Sequence, residues 1–233
     1  VGYLSSKSGQ PTGAVYGFLN IMQSLLDAEQ PEALAVAFDE KGPTFRHTAY
    51  EGYKATRKPM PDELASQMPI LKDILSAMHI PTYSLSGWEA DDILGTAGRI
   101  CGEHGWDCVI VTGDRDSLQL VDDHVTVKLI TTKGGQTRSV NYTPAVFQEE
   151  YGFSPKGLID LKALMGDSSD NIPGVAGVGP KTAKELLAKF GSLDGVYAHR
   201  HAGQRLCPRS GRGFEARPAP EASGGKGFRL PEL

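Results

Sequence analysis

The hydrophobic positions along the first half of the chain alternate between helical and strand-like spacing. Behind Pro11, apolar residues from Val15 to Leu26 recur at the i, i+3, i+4, i+7 spacing of an amphipathic helix. Residues 33–38 and 108–112 are short apolar runs of buried-strand length, and helical segments lie between them. This alternation predicts an α/β fold with a mainly parallel central sheet flanked by helices.

The rest of the chain divides into further elements of this fold, a helical region and a tail. We expect, in order, a polar and basic segment at 41–61, a helix at 61–78, a strand at 80–84, a helix at 88–104 and a strand at 125–130 that enters a hairpin turn at 133–135. Residues 1–142 would form one α/β domain, and the helical spacing of 143–198 predicts a small appended subdomain. Residues 199–233 are rich in Arg, Gly, Pro and Ala without periodicity, which predicts a disordered or artefactual tail.

Composition and charge disfavour three classes of protein: membrane-spanning proteins, disulfide- or zinc-stabilised proteins, and nonspecific nucleic-acid binders. The chain has 233 residues and no apolar run of the roughly 18–20 residues that a membrane span needs, so we expect a soluble, cytoplasmic protein. Its three cysteines form no CxxC pair, so neither a disulfide framework nor a zinc site is expected. Residues 1–198 carry 17 Lys/Arg against 25 Asp/Glu, a net charge of −8. Such an acidic body disfavours nonspecific binding of nucleic acid unless its carboxylates hold metal ions.

Four groups of carboxylates fall at predicted strand ends or helix starts. Asp39 and Asp114 directly follow strands, and the carboxyl ends of parallel strands face one crevice. Asp167 and Asp170 are three residues apart, which predicts that they share one face of a helical turn. The eight candidate metal ligands are Asp39, Glu89, Asp91, Asp92, Asp114, Asp116, Asp167 and Asp170.

Eight carboxylates that converge in one crevice would repel one another unless hard divalent cations, which take oxygen ligands, compensate them. We expect two Mg²⁺ ions, with Mn²⁺ as a substitute; such a pair can activate water and stabilise both oxygens of a phosphodiester displacement. Any single one of these acids can equally be a helix cap or a solvated loop residue. The strand followed by Asp114 and Asp116 also resembles the nucleophile motif of aspartyl phosphatases, an interpretation that gives the other acids no role.

Two regions have the composition of a DNA-binding surface. Gly177 and Gly179 lie in a glycine hairpin before a helix, where Lys181 and Thr182 with the helix-start amides suit a phosphate. The alternative is a helix–helix turn that needs glycine only for its geometry. The basic segment (41–61) mixes cations with aromatic residues, which suits a single strand, although a solvated basic face has the same composition.

Five motifs together resemble the flap endonuclease family, in particular the 5′-3′ exonuclease domain of bacterial DNA polymerase I. They lie at residues 37–47, 53–57, 88–92, 112–116 and 164–174, and the match extends from about residue 9 to 197. The resemblance implies a PIN-like fold with a helix-hairpin-helix subdomain (H3TH), and it implies that the eight acids bind the metals. The basic segment would form a helical arch over the site.

The resemblance also implies roles for the cations. Lys54 and Arg57 would be catalytic, and Lys54 in particular would steady the scissile phosphate. The implied DNA-binding residues are Arg46, Tyr53, Lys54, Arg57, Lys162, Gly177, Gly179, Lys181 and Thr182. A K⁺ ion would sit at the hairpin.

The implied role is removal of RNA primers and displaced 5′ flaps in DNA replication and repair, by a monomer in the bacterial cytoplasm, at the nucleoid. The implied partners are DNA with 5′ flaps or 5′ ends, RNA primers on DNA, and a covalently linked polymerase domain. The family's opening strand, with a further metal-binding aspartate, has no counterpart here, so an inactive DNA-binding module is the main alternative. An RNA-directed nuclease is a third interpretation, which the helix-hairpin-helix disfavours. Whether the chain is a polymerase fragment or a separate exonuclease stays open.

Overall fold

The computed structural model describes residues 4–134 and 136–201, whose strands form two sheets. The strands are β1 (Val36–Ala37), β2 (Thr82–Tyr83), β3 (Cys108–Thr112), β4 (Val125–Lys133) and β5 (Gln136–Tyr142). β1 and β2 pair in parallel, as do β3 and β4, whereas β5 runs antiparallel to β4. The predicted α/β class with mainly parallel pairing is confirmed, but the strand expected at 33–38 shrinks to two residues.

Helices cover these sheets and form most of the chain after residue 143. They are α1 (Gly13–Glu29), α2 (Phe45–Ala49), α3 (Asp62–Ala65), α4 (Met68–Ala77), α5 (Ala90–His104), a 3₁₀ helix (Arg115–Leu120), α6 (Pro144–Tyr151), α7 (Gly157–Met165), α8 (Pro180–Phe190) and α9 (Leu193–His201). α9 extends past the boundary expected at 198, and residues 202–233 of the expected tail lie outside the described residues. In the described ranges, no helix is long and apolar enough to cross a membrane.

The helix expected at 61–78 is divided into α3 and α4 around Gln67. The Gln67 side chain is buried and accepts hydrogen bonds from the amides of Ala14 (2.8 Å) and Val15 (3.3 Å). These amides belong to the first turn of α1, where no intrahelical acceptor exists. A residue between two helices therefore caps a third helix, which no local sequence pattern predicts.

Two hydrophobic cores lie under these elements. The smaller core joins α1, α4 and β1, with Leu75 and Val15 among its buried residues. The larger core runs from β3 and β4 into α6, α7 and α8, and includes Val127, Phe147 and Leu187. Because one apolar core continues from the sheet into the helical part, the segment that follows α7 is fixed against the ends of the strands.

Candidate active site

The acids after β1 and before α5 are connected by hydrogen bonds. Asp39 follows β1, and its carboxylate accepts a hydrogen bond from the Ala90 amide at 2.7 Å. Glu89 is the N-cap of α5, and its amide donates to the Asp92 carboxylate at 3.0 Å in a capping box. Negative charge at this position is favoured because it faces the positive end of the helix dipole. The start of α5 therefore brings the acids at 89–92 next to the end of β1.

A second acidic turn follows β3. The Asp114 carboxylate accepts a hydrogen bond from the Asp116 amide at 2.9 Å and so caps the 3₁₀ helix. The guanidinium of Arg115, the residue between these acids, donates to Glu150 of α6 (2.7 Å) and to the hydroxyl of Tyr142 at the end of β5 (3.2 Å). Sequence reasoning assigned no role to Arg115, and this anchoring fixes the turn that holds both aspartates.

The acidic loop (166–174) connects α7 to the hairpin and is not the helical turn expected for Asp167 and Asp170. Asp167 and Ile172 instead exchange backbone hydrogen bonds of 2.8 and 2.7 Å, which makes the loop a tight reversal. A Cβ atom on Gly174 would lie 2.4 Å from the Gly166 nitrogen. Only glycine permits this approach of two backbones, and the reversal follows from it.

Four cations are paired with these acids. Arg46 binds Asp92 through two hydrogen bonds of 2.8 and 2.7 Å, a bidentate geometry. The other pairs are Lys54–Glu89 at 2.7 Å, Arg57–Asp170 at 2.5 Å, Lys162–Asp116 at 2.8 Å and Lys162–Asp167 at 2.7 Å. The first three cations belong to the basic segment (41–61), which therefore lies directly against the acids. The predicted metal ligands and four of the predicted DNA-binding cations, Arg46, Lys54, Arg57 and Lys162, therefore meet in one site.

Charge is unevenly distributed in this site. The walls of the cleft partly desolvate the Asp91 carboxylate, and Asp114 and Asp39 add like charge, so the pKa of Asp91 is raised. Partial burial also raises the pKa of Asp116, although the ion pair with Lys162 offsets part of this effect. Asp91 accepts only one side-chain hydrogen bond among the described residues, a long one of 3.4 Å from Ser117. Negative charge around Asp91 is therefore poorly compensated.

Other acids in the site are held ionised. Burial would raise the pKa of Asp167, but hydrogen bonds from Lys162 and Ser169 outweigh it and lower the pKa well below the usual range. The bidentate contact with Arg46 likewise outweighs burial and lowers the pKa of Asp92. The site therefore contains two kinds of carboxylate. Asp92 and Asp167 are paired with cations that favour their ionised form, whereas Asp91 lies among like charges.

The donor set fits a hard divalent cation, since carboxylate oxygens are the ligands that Mg²⁺ takes. Within residues 4–134 and 136–201, no three His, Cys, Asp or Glu side chains converge in the arrangement of a metal site. The pairing of Glu89, Asp92 and Asp170 with cations accounts for part of this, because their oxygens point toward guanidinium or ammonium groups. The repulsion around Asp91 identifies where positive charge is needed.

The predicted DNA-binding residues differ in their accessibility. Tyr53 is 6% exposed, and its hydroxyl donates to Glu89 at 3.1 Å, so its ring is not open to a base in this structure. In the hairpin, Gly177 has φ of 80°, Gly179 is the N-cap of α8, and Lys181 and Thr182 are exposed. None of the ion pairs formed within the described ranges involves Lys181.

Two protein-family models together match all the residues that the structure describes. Residues 2–152 match the model of the 5′-3′ exonuclease N-terminal resolvase-like domain, and residues 153–210 match that of the 5′-3′ exonuclease C-terminal SAM fold. Among curated proteins, DNA polymerase I of Caldicellulosiruptor bescii is 46% identical over 194 residues, which are 83% of this chain and 23% of the polymerase. DNA polymerase I of Bacillus subtilis is 45% identical over 191 residues, 82% of this chain and 22% of that protein. The chain thus spans about a fifth of these relatives.

Solved structures with the same fold include a T5 5′-exonuclease with bound zinc. It is 26% identical with a TM-score of 0.65, over 79% of this chain and 70% of that one. The T5 D15 protein crystallised with metal ions is also 26% identical, with a TM-score of 0.66 over 84% of this chain and 73% of that one. The family matches and these neighbours confirm the resemblance found in the sequence.

Proposed function

This chain belongs to the 5′-3′ exonuclease family of nucleases, and we propose that it hydrolyses DNA phosphodiesters at 5′ ends and displaced 5′ flaps with two Mg²⁺ ions. The single observation that carries the proposal is the meeting of acids from four chain segments with the cations of the basic segment. A phosphate needs positive charge, and an activated water needs a metal held by carboxylates. This site offers groups for both.

The side chains divide into two sets of roles. When bound, divalent cations would lower the pKa of a water molecule and stabilise charge on the phosphate. Asp39, Asp91 and Asp114 would hold them, because their like charges are the least compensated. The remaining candidate acids would bind the metal ions directly or through water molecules. They are Glu89, Asp92, Asp116, Asp167 and Asp170.

The cations would exchange partners when substrate binds. In the structure Lys54 is bound to Glu89, and Arg57 is bound to Asp170. A substrate phosphate is a competing anion within reach of the same side chains, and metal ions compete for the same carboxylates. Lys54 and Arg57 would then contact the scissile phosphate directly and withdraw charge from it.

The hairpin before α8 would hold the duplex. Its exposed Lys181 and the amides at the start of α8 suit a backbone phosphate, which gives a grip independent of base sequence. We further propose that a K⁺ ion binds the hairpin, that the protein acts as a monomer in the bacterial cytoplasm at the nucleoid, and that RNA primers on DNA are among its substrates. A linked polymerase domain in the whole protein is part of the same proposal.

One observation favours a second candidate, a DNA-binding module without cleavage. Among the described residues, five of the eight candidate acids form ion pairs with cations, and no three His, Cys, Asp or Glu side chains converge as metal ligands. A chain that keeps these pairs would bind branched DNA through its hairpin and would not cut it.

Cleavage of a 5′-end-labelled flap substrate tests the proposal. The chain should cut in Mg²⁺ and not in EDTA, and Asp114→Asn should abolish cutting while flap binding remains nearly intact. Asp73→Asn is the matched control, because Asp73 lies exposed on α4 away from the site. Binding without Mg²⁺-dependent cleavage would support the second candidate, and normal cutting by Asp114→Asn would contradict the metal assignment.

A further inference from the structure

The acidic loop (166–174) and the basic segment (41–61) are joined by contacts outside the ion pairs. The Asn171 side-chain amide donates to the Gly52 carbonyl at 2.8 Å, and the Tyr50 hydroxyl donates to the Asn171 carbonyl at 3.2 Å. The Lys54 amide donates to the Asp170 carbonyl at 3.0 Å. Asn171 therefore lies at the centre of the junction, yet it is neither one of the eight candidate metal ligands nor a cation.

The loop that carries Asn171 is closed by two backbone contacts. Its ends are held by the Asp167–Ile172 backbone pair and by the close approach of Gly174 to Gly166. Asn171 itself has φ of 57°, a left-handed conformation that Asn tolerates better than most residues. This conformation directs the side-chain amide at Gly52 from a fixed support.

The segment on the other side of the junction is strained. Lys54 has φ of 54°, a conformation that an unbranched non-glycine residue adopts only where its surroundings enforce it. Asn171 donates to the Gly52 carbonyl two residues before Lys54, and the Lys54 amide itself donates to the Asp170 carbonyl. With its backbone held there, the Lys54 ammonium reaches Glu89 at 2.7 Å.

We propose that Asn171 is a positioning residue that holds residues 50–57 against the acidic loop and so keeps the Lys54 ammonium among the acids. The consequence for cleavage rests on the proposed function, since it requires Lys54 to act on the phosphate. Asn171 would touch neither metal nor DNA and would act through Lys54. A carbonyl accepts hydrogen bonds only, so the donor amide of Asn171 is the group that matters.

Two substitutions separate the amide from the backbone conformation. Asn171→Gly removes the donor and tolerates the positive φ, and Asn171→Asp keeps the shape but places an acceptor against the Gly52 carbonyl. His79→Gly is the matched control, because His79 has φ of 58° and is exposed at the end of α4. A general effect of glycine at a left-handed position would appear in the control as well.

Single-turnover flap cleavage measures the effect on the reaction. We expect both Asn171 variants to cut about 10- to 100-fold more slowly, the scale of a misplaced catalytic group. In a Lys54→Ala background, Asn171→Gly should slow cleavage less than about twofold, because residues that act as a unit are not additive. Calorimetric titration with Mn²⁺ should give affinities within about threefold of the parent chain. Additive effects or lost Mn²⁺ affinity would mean that Asn171 acts through the acids, which overturns the proposal.

Hydrogen exchange of the parent chain and variants without metal or DNA tests positioning without cleavage. In Asn171→Gly, amides of residues 50–58 should exchange about tenfold faster, with β4 unchanged. Unchanged exchange at 50–58 overturns the proposal, as does faster exchange accompanied by normal cleavage. A parent chain that does not cut in Mg²⁺ contradicts the proposed function alone, and exchange then still decides whether Asn171 positions the segment.

Discussion

Replacement of Asp91 by asparagine should stabilise the fold in EDTA and weaken its response to Mg²⁺. The Asp91 carboxylate lies with Asp114, Asp39 and Glu89, and these like charges together with partial desolvation raise its pKa. A folded-state pKa above the unfolded value means that the ionised form destabilises the fold. Asparagine removes the charge and retains an oxygen that can accept the hydrogen bond from Ser117.

The expected gain is about 1 kcal/mol. Two unit charges about 6 Å apart repel by about 2–3 kcal/mol at an effective dielectric constant near 20. Asp91 is exposed in an open cleft, so water screens the interaction and reduces this value to about 1 kcal/mol. For a chain of this length, a gain of that size raises Tm by roughly 2–4 °C.

The sign of the pH dependence follows from the raised pKa. Above that pKa the parent chain carries the repulsion in full, so the advantage of Asp91→Asn is largest at neutral and alkaline pH. As pH falls through the raised pKa the advantage shrinks, and below the ordinary pKa of an aspartate, about 3.9, Asp91 is protonated in both states and the advantage disappears.

Thermal unfolding in EDTA and in millimolar Mg²⁺ is the assay. Metal binding to the folded state should raise the Tm of the parent chain and raise that of Asp91→Asn much less. The difference in Tm between the two proteins should therefore shrink or change sign in Mg²⁺. The control Asp73→Asn should change the free energy of unfolding by no more than about 0.5 kcal/mol, in EDTA or in Mg²⁺. If Asp91→Asn is no more stable than the parent in EDTA, the account of uncompensated charge is refuted. Equal stabilisation by Mg²⁺ would remove Asp91 from the metal ligands.

Three further results follow from the contacts. Lys181→Ala should weaken duplex binding and reduce the slope of log affinity against log salt by about 1, with the cleavage rate of bound DNA retained; an unchanged slope would exclude the hairpin from the interface. Gly174→Ala should destabilise the fold by about 2–4 kcal/mol in denaturant unfolding, because its Cβ would meet the Gly166 backbone, whereas Gly179→Ala, which meets nothing within 4 Å, should not. Lys162→Met should leave Asp116 and Asp167 without their shared cation and so destabilise the fold more at neutral pH than at acid pH.

The sequence predicts what depends on local periodicity and on strand ends. The apolar runs locate β1 and β3, so the crevice beyond Asp39 and Asp114 follows from the rule for parallel sheets. The break between α3 and α4 could not be predicted, because Gln67 is recruited by the amides of α1, which are distant in sequence. Tertiary hydrogen bonding here overrides helical spacing.

Ion pairing is the part of the site that spacing alone does not reveal. The acids and the basic segment are both visible in the sequence, but nothing local indicates that Lys54 pairs with Glu89 or Arg57 with Asp170. The loop at Asp167 was expected to be helical because a three-residue separation fits a helix. The close contact between Gly166 and Gly174 instead reverses the chain, and that contact depends on packing after α7.

The division of the interior into two hydrophobic cores affects the thermal stability of the active site. Asp39 follows a strand of the smaller core, whereas Asp114 and Asp167 are attached to the larger one. Local opening of the smaller core would therefore dismantle the acid cluster while most of the protein remained folded. Heat inactivation of such a protein would precede its global melting, and the gap between the two temperatures would report how firmly α1 and α4 are held.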